Sequence, residues 1–291
     1  MNAVFRGLRA RLEAAGVPDA AFDAAQLYRF VTGRDPRLEE APSDEESRRL
    51  EALAARRAAR EPLQYLLGEW DFLDFTLKVG PGVLCPRADS EVVCEAAIEK
   101  LQGRPAPVVL DLCAGTGCLG LGVARARPDA QVTCVEKSPE AWPWLQANTA
   151  GTGVAAVQAD IFTWYRTLRP ESVDLILSNP PYLTAEEMAR RMPETAREPA
   201  AALDGGPDGL DFYRLLTEHY QTALRPGGWL ILEIGCAQAG AVLALGRRHG
   251  WHSGSCRRDY GGNDRVILLQ KPDGKYRQWD GKAEEIHNKR L

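Results

Sequence analysis

What the chain lacks narrows it first. No run approaches the ~18 consecutive apolar residues that a membrane span requires, and residues 1–12 lack the apolar centre of a secretory signal, so a cytoplasmic protein without membrane attachment is expected. Positive charge is not in excess: 36 Lys and Arg face 40 Asp and Glu, for a formal charge of −4. Extensive nucleic-acid binding needs clustered cations that release counterions, and no long Lys/Arg run supplies them. Seven cysteines (Cys85, Cys94, Cys113, Cys118, Cys134, Cys236 and Cys256) form no CxxC pair and are odd in number, which fits reduced thiols and no metal site. There is no internal repeat and no low-complexity tract. The 45% hydrophobic and 26% charged fractions are those of an ordinary globular chain, long enough for one large domain and a small one.

Residues 1–68 are rich in Ala, Leu, Arg and Glu. Apolar residues recur at helical spacing, as Leu8, Leu12 and Ala15, then Phe22, Ala25, Leu27 and Phe30. Ser43 followed by Glu46 reads as a capping box opening a further helix. A small helical bundle that packs or docks is the expectation. Residues 69–85 change to alternation, with Phe72, Phe75, Leu77 and Val79 between polar positions before Gly80-Pro81-Gly82, which predicts a linking β-hairpin. A helix to about Leu101 follows Pro86-Arg87, where Arg87 taken alone reads as a surface cation.

Strands and helices then alternate, which predicts a doubly wound parallel sheet over residues 86–272. Strands are expected at 108–112, 132–136, 154–158, 173–178, 229–234, 251–256 and 266–269, with the 113–120 glycine stretch turning into a helix through Ala126 and another helix near 139–147. Residues 273–291 form a polar tail.

The informative stretch is Val173 to Tyr182, an apolar run that stops at Asn179-Pro180-Pro181-Tyr182. Proline has no N–H and disfavours a helical conformation in the residue before it, so Asn179 is pushed extended and Pro180 offers only a carbonyl. A planar group with two N–H donors, an amide or a nucleobase amine, could be held by the Asn179 oxygen, the Pro180 carbonyl and the Tyr182 ring. Asn-Pro and Pro-Pro are also ordinary loop punctuation, and the four residues alone do not decide between the two.

Context decides. Cys113-Ala114-Gly115-Thr116-Gly117, with Gly120, places a G-x-G-x-x-G match between a strand and a helix, where the backbone can approach a ligand and the helix N-terminus offers free N–H groups. Glu136, ending the next strand, is placed to accept from ribose hydroxyls. Asp160, ending the third, could bind an adenine amino group with Ile161 on the ring, or could simply cap a helix. All lie just past the ends of successive strands, which converge on one crevice in an open α/β sheet. A dinucleotide and S-adenosylmethionine (SAM) would look alike here. A dinucleotide-dependent oxidoreductase leaves the Asn-Pro-Pro-Tyr loop unexplained, a nucleic-acid methyltransferase would be expected to carry a basic face, and a purely binding module is the remaining alternative.

With these residues assembled the chain resembles the class I SAM-dependent methyltransferases, and more closely the HemK/PrmC family, which methylates a glutamine side-chain amide nitrogen in peptide chain release factors. The resemblance covers nearly the whole chain: the helical N-terminal part, Arg60-Glu61-Pro62-Leu63-Gln64-Tyr65 with Gly68, Pro86-Arg87 with Glu91, Asp111-Leu112 and the glycine loop, Asn179-Pro180-Pro181-Tyr182, Asp208-Gly209-Leu210, and Glu233-Ile234-Gly235. Three departures stand out. Cys113-Ala114 takes the place of Gly-Thr in the family's usual loop, Ala88-Asp89-Ser90 replaces Pro-Glu-Thr, and Glu136 replaces an Asp. The resemblance implies a Rossmann-like seven-stranded SAM-methyltransferase sheet and SAM as cofactor. It implies Asn179, Pro180, Pro181 and Tyr182 at the reacting amide, and cofactor contacts from Cys113, Ala114, Gly115, Thr116, Gly117, Glu136, Asp160, Ile161, Asn179 and Arg87. A release factor is the implied partner, and a monomer the expected state.

Overall fold

The computed structural model describes residues 3–37 and 41–274. Four helices open the chain: α1 (Ala3–Ala14), α2 (Ala20–Thr32), α3 (Asp44–Ala58) and the short α4 (Leu63–Leu67). They share a core of their own around Leu12, Ala24, Leu27, Tyr28 and Leu50. The Ser43–Glu46 capping box forms at the start of α3: the Ser43 hydroxyl accepts from Glu46 N (3.2 Å), and the Glu46 carboxylate accepts from Ser43 N (2.7 Å). The face of α2 differs from the expected one. Phe22 and Phe30 are 49% and 44% exposed, and the buried stripe is Ala20, Ala24, Leu27, Tyr28 and Val31. Positions 20, 24, 27 and 31 keep i, i+3/i+4 spacing, whereas Phe22 lies beside that stripe and makes an edge contact with Trp70.

The hairpin follows as β1 (Glu69–Phe72) and β2 (Phe75–Lys78). One 3₁₀ turn (Ala88–Ser90) leads into α5 (Glu91–Lys100). The alternating part then runs β3 (Val108–Leu112), α6 (Cys118–Ala126), β4 (Gln131–Glu136), α7 (Trp142–Thr149), β5 (Ala155–Gln158), α8 (Ile161–Trp164), β6 (Val173–Ser178), α9 (Ala185–Ala189), α10 (Asp211–His219), β7 (Leu224–Glu233), α11 (Ala239–Arg248), β8 (Ser253–Arg258) and β9 (Asp264–Gln270). The seven strands lie in the order β5-β4-β3-β6-β7-β9-β8.

Every residue of β6 is buried, as a strand flanked by β3 and β7 and covered on both faces must be. Leu175 and Leu177 enter the core under α5 and α6, while Ile176 enters the core under α10 and α11. Each such side chain contributes about 1.5–3 kcal/mol by leaving water. Asp174, the polar exception, is held by Arg104 Nη1 (3.2 Å), Arg225 and the Val108 amide (2.8 Å).

Three expectations change. The sheet is mixed, because β9 pairs antiparallel with both β7 and β8. Only residues 259–263 join β8 to β9, too few for the crossover that parallel neighbours need, so the chain must turn back as a hairpin. β7 begins five residues earlier than expected, at Leu224, through an irregularity opposite Val173 and Leu175 that carries Arg225 to Asp174. The helix expected at 139–147 is shifted to Trp142–Thr149, with Pro143 in its first turn, where the missing N–H costs nothing. The polar tail from 273 lies, from residue 275 on, outside the described residues.

The strand order reverses between β3 and β6. Connections from β3 run outward through β4 to β5, and β6 starts the other half on the opposite side of β3. An open α/β sheet forms its ligand crevice beyond the carboxyl ends of the strands at this switch point.

Candidate active site

A cavity of about 550 Å³ occupies that position. Cys113, Ala114, Gly115, Thr116, Glu136, Asp160, Ile161, Asn179, Pro181 and Arg87 all line it. Gly117, Pro180 and Tyr182 do not. Gly117 sits behind the loop in a left-handed conformation (φ 82°), its N–H bonded to Ala114 O (2.7 Å), and begins α6. A Cβ there would lie 2.8 Å from Leu145 Cδ1, so both backbone angle and space require glycine.

Glu136 accepts one backbone N–H on each oxygen, from Gly115 (2.8 Å) and from Ser138 (2.7 Å). Those bonds fix the carboxylate across the glycine loop and leave each oxygen a further lone pair toward the cavity. Asp160 caps α8 through Phe162 N (3.0 Å) and pairs with Lys137 Nζ (2.8 Å). Burial alone would raise its pKa; the Lys137 ammonium and the Phe162 amide outweigh it and hold the carboxylate below its usual range. The capping role is therefore present, at a position that also lines the cavity. Phe162 and Phe212 meet edge-to-face beside it, with centroids 5.2 Å apart.

Arg87 is no plain surface cation. Its Nη2 donates to both oxygens of Glu198 at 2.8 Å, and that carboxylate is 1% exposed. The pair ties the segment before α5 to the excursion of residues 184–203, whose two ends are clamped by Leu183 N to Leu203 O (2.8 Å) and Gly205 N to Leu183 O (2.9 Å). Pro199, Ala201 and Ala202 of that excursion wall the cavity. Its far side is held to the helical bundle: Glu194 receives Arg57 Nη2 (2.8 Å) and Arg60 Nε and Nη2 (2.6 and 2.7 Å). Although burial opposes ionisation, these guanidinium contacts pull the Glu194 pKa down to about 2.

Asn179 leaves β6 next to the end of β7, because the register pairs Ser178 with Leu232. Its Nδ2 donates to Ser90 Oγ (3.3 Å). Among the described residues no hydrogen bond ends on Asn179 Oδ1 or on the Pro180 carbonyl. Tyr182 turns away from the cavity: Gln238 Nε2 donates to its backbone oxygen (3.0 Å), and its ring lies against Gly235 and the α10–α11 core. Gly209 (φ 72°) packs so close that any Cβ would collide with Tyr182 O.

Several residues at the site stood in the sequence only within the segments that carry the resemblance, with no role assigned to them. Ser90 and Asp111 line the cavity, and Glu233 stands behind Ser90. Asp111 Oδ2 accepts from Gly120 N (2.8 Å), while Oδ1, fully buried, has no partner among the described residues. Burial pushes its pKa up to about 7 against the pull of the Gly120 amide. An acid inside the apolar run Val108–Leu112 was the signal for Asp111. Ser90 and Glu233 had no local signal of a role, since their meaning is a contact across 143 positions.

A glycine loop at the switch point of such a sheet, with acids closing successive strands, defines the nucleoside-binding α/β class; a methyltransferase from Pyrococcus furiosus shares the fold at TM-score 0.50 and 19% identity, covering 67% of this chain and 88% of that one. Residues 75–203 match the Methyltransferase small domain family and residues 3–68 the PrmC N-terminal domain. Curated relatives include the release factor glutamine methyltransferases of Geobacter sulfurreducens, 40% identical over 89% of this chain and 88% of its own, and of Mycolicibacterium smegmatis, 42% identical over 77% and 80%. The chain belongs to the release factor glutamine methyltransferase family.

Proposed function

We propose that this chain transfers the methyl group of SAM to the side-chain amide nitrogen of a glutamine in a peptide chain release factor. The observation that carries the reading is a pair of acceptors on consecutive residues of the loop after β6, Asn179 Oδ1 and the Pro180 carbonyl, neither of which ends a hydrogen bond within the described chain, with Asn179 itself lining the cavity. An amide nitrogen is a poor nucleophile because its lone pair is delocalised into the carbonyl, the resonance behind the ~18–20 kcal/mol rotation barrier of peptide bonds. Two acceptors, each taking one N–H, orient that nitrogen. Positioning of this kind supplies several kcal/mol, up to ~7–11 in ideal cases. Pro181 keeps the loop rigid, and Tyr182, anchored through its backbone by Gln238 and through its ring in the core, fixes the far end of the loop.

The cavity fits SAM on an observation of its own. Asp111 Oδ1 is a buried acceptor without a partner among the described residues, suited to an ammonium group, and the free lone pairs of Glu136 suit ribose hydroxyls. Ala114, Gly115 and Thr116 supply the backbone cradle, Asp160 an acceptor for an adenine amino group, and Ile161 with Phe162 and Phe212 the apolar walls. When bound, SAM supplies an electrophilic methyl on a sulfonium. The bundle of residues 1–68 serves as the docking unit for the protein substrate, with 69–85 as linker and 86–272 as the catalytic unit.

Incubating the protein with labelled SAM and a purified release factor tests the reading: label should enter the wild-type factor and be lost when its candidate glutamine is replaced. Label persisting on that variant rejects the acceptor.

A further inference from the structure

A carboxamide has two unlike ends, and only its oxygen can take an N–H from an incoming amide. Which end of Asn179 faces the cavity is decided at its back. There Nδ2 donates to Ser90 Oγ (3.3 Å), and Ser90 Oγ donates to Glu233 Oε2 (2.5 Å). A serine hydroxyl has one proton. With that proton committed to the carboxylate, only lone pairs face Asn179, and these require Nδ2; a flipped amide would set Oδ1 against them. Ser90 and Glu233 are each 2% exposed, so water does not compete. The three residues come from the turn before α5, the end of β6 and the end of β7, rigid elements that hold the chain of bonds in place.

We propose that Ser90 and Glu233 are positioning residues for methyl transfer, their hydrogen-bonded chain holding the Asn179 carboxamide with Oδ1 toward the acceptor amide. The inference rests on the reading of Asn179 as the residue that receives that amide. Glu233 sets the direction of the chain through its charge. Facing it are Ser90 and Asp89 from the 3₁₀ turn, Arg87 before it, Arg265 of β9, Tyr182 beyond β6, Cys118 of α6, and Tyr213 of α10, whose hydroxyl donates to the Glu233 carbonyl. Burial pushes the carboxyl pKa up to about 7, against the Ser90 hydrogen bond and the Arg265 and Arg87 charges. Ionised, it accepts the Ser90 proton. Protonated, it can offer its own O–H to Ser90 Oγ, which frees the serine proton for Asn179 Oδ1 and allows the wrong end of the amide to turn inward. Orientation is therefore held above about pH 7 and relaxes below it.

Kinetics on the full chain with SAM and a release factor test this. Ser90→Ala should lose about ten- to a hundredfold in kcat, the scale of a misplaced catalytic group, with unchanged SAM affinity. Ser90→Thr, which keeps the hydroxyl, should recover most of it. Ser90→Ala combined with Asn179→Ala should be no slower than Asn179→Ala alone, because the serine acts only through that residue. The wild-type kcat should fall as pH drops through about 7, and this limb should be missing from Ser90→Ala. The Asn179 side-chain amide signal in a ¹⁵N spectrum should move in Ser90→Ala. Should Ser90→Ala not fold, Glu233→Gln keeps the shape and should abolish the pH limb; a retained limb overturns the proposal. Wild-type kcat in Ser90→Ala, or losses that add in the double variant, also overturn it. If Asn179→Ala is inactive and Ser90→Ala normal, only this inference falls; full activity of Asn179→Ala removes the reading of the site along with it.

Discussion

The helical bundle and the rim of the sheet both bury charge, and they treat it in opposite ways. In the bundle, Arg57 is almost fully enclosed and every donor group is used: Nε on Asp23 (2.6 Å), Nη1 on the Glu61 carbonyl (3.2 Å) and Nη2 on Glu194 (2.8 Å). At the rim, among the described residues, Asp111 Oδ1 has no partner and Asn179 has its nitrogen tied while no hydrogen bond ends on its oxygen. A buried polar group that is fully partnered specifies packing. One left half-partnered in a cavity offers an acceptor that a ligand's N–H or O–H would satisfy, since an unmade hydrogen bond there is costly.

Substitutions can break that contrast. Arg57→Ala should act on stability, leaving the Asp23 carboxylate buried without its cation at a cost of about 3–5 kcal/mol, read as a lowered unfolding midpoint. SAM affinity of the folded fraction should be unchanged; a loss of SAM binding at full stability would show the bundle to be part of the cofactor site. Asn179→Ala should do the reverse, costing about 10²–10³ in turnover, as removal of an oriented catalytic group does, with SAM binding and melting temperature preserved. Near-normal turnover would sink the assignment of the loop. Asp111→Asn replaces an acceptor-only group by one carrying an N–H. Losing a charged hydrogen bond of about 1.5–3 kcal/mol should weaken SAM binding by about one to two orders of magnitude in calorimetry.

Acidification probes the link between the two regions. Glu194 has a folded pKa of about 2 against an ordinary 4.5, so its contacts with Arg57 and Arg60 stabilise fully above 4.5 and are lost as pH falls from there toward about 2. Arg60→Ala should reduce that acid sensitivity, measured by urea unfolding across this window. Smallest of all, Ser43→Ala removes one cap of α3 and should cost about 1 kcal/mol without touching turnover.

What could be read in advance follows the range of the cause. The β6 run, the Asn-Pro-Pro-Tyr stop, the glycine loop and the Ser43–Glu46 box are legible because their geometry is set by neighbours within a few positions. Phe22 and Phe30 misled for the same reason: helical spacing marks a stripe, and only the packing of α1 and α3 says which stripe is covered. Arg87 alone looked like a surface cation, because Glu198, its partner, lies 111 positions away. Glu233 stood in the Glu233-Ile234-Gly235 segment with nothing nearby to give it a role, because Ser90 lies 143 positions away.

By itself, then, the sequence determined that Gly115, Glu136, Asp160 and Asn179 lie at or just past the ends of successive strands, and that a rigid, donor-poor loop follows the fourth; proline sterics and hydrophobic periodicity act locally and need no partner. Only the tertiary structure decided that β9 runs against its neighbours, that the bundle grips the excursion over the cavity through Glu194, and that Ser90 and Glu233 stand behind Asn179. Those facts depend on which distant side chains are brought within hydrogen-bond reach once water is excluded, a property of the assembled sheet and of no single stretch of chain.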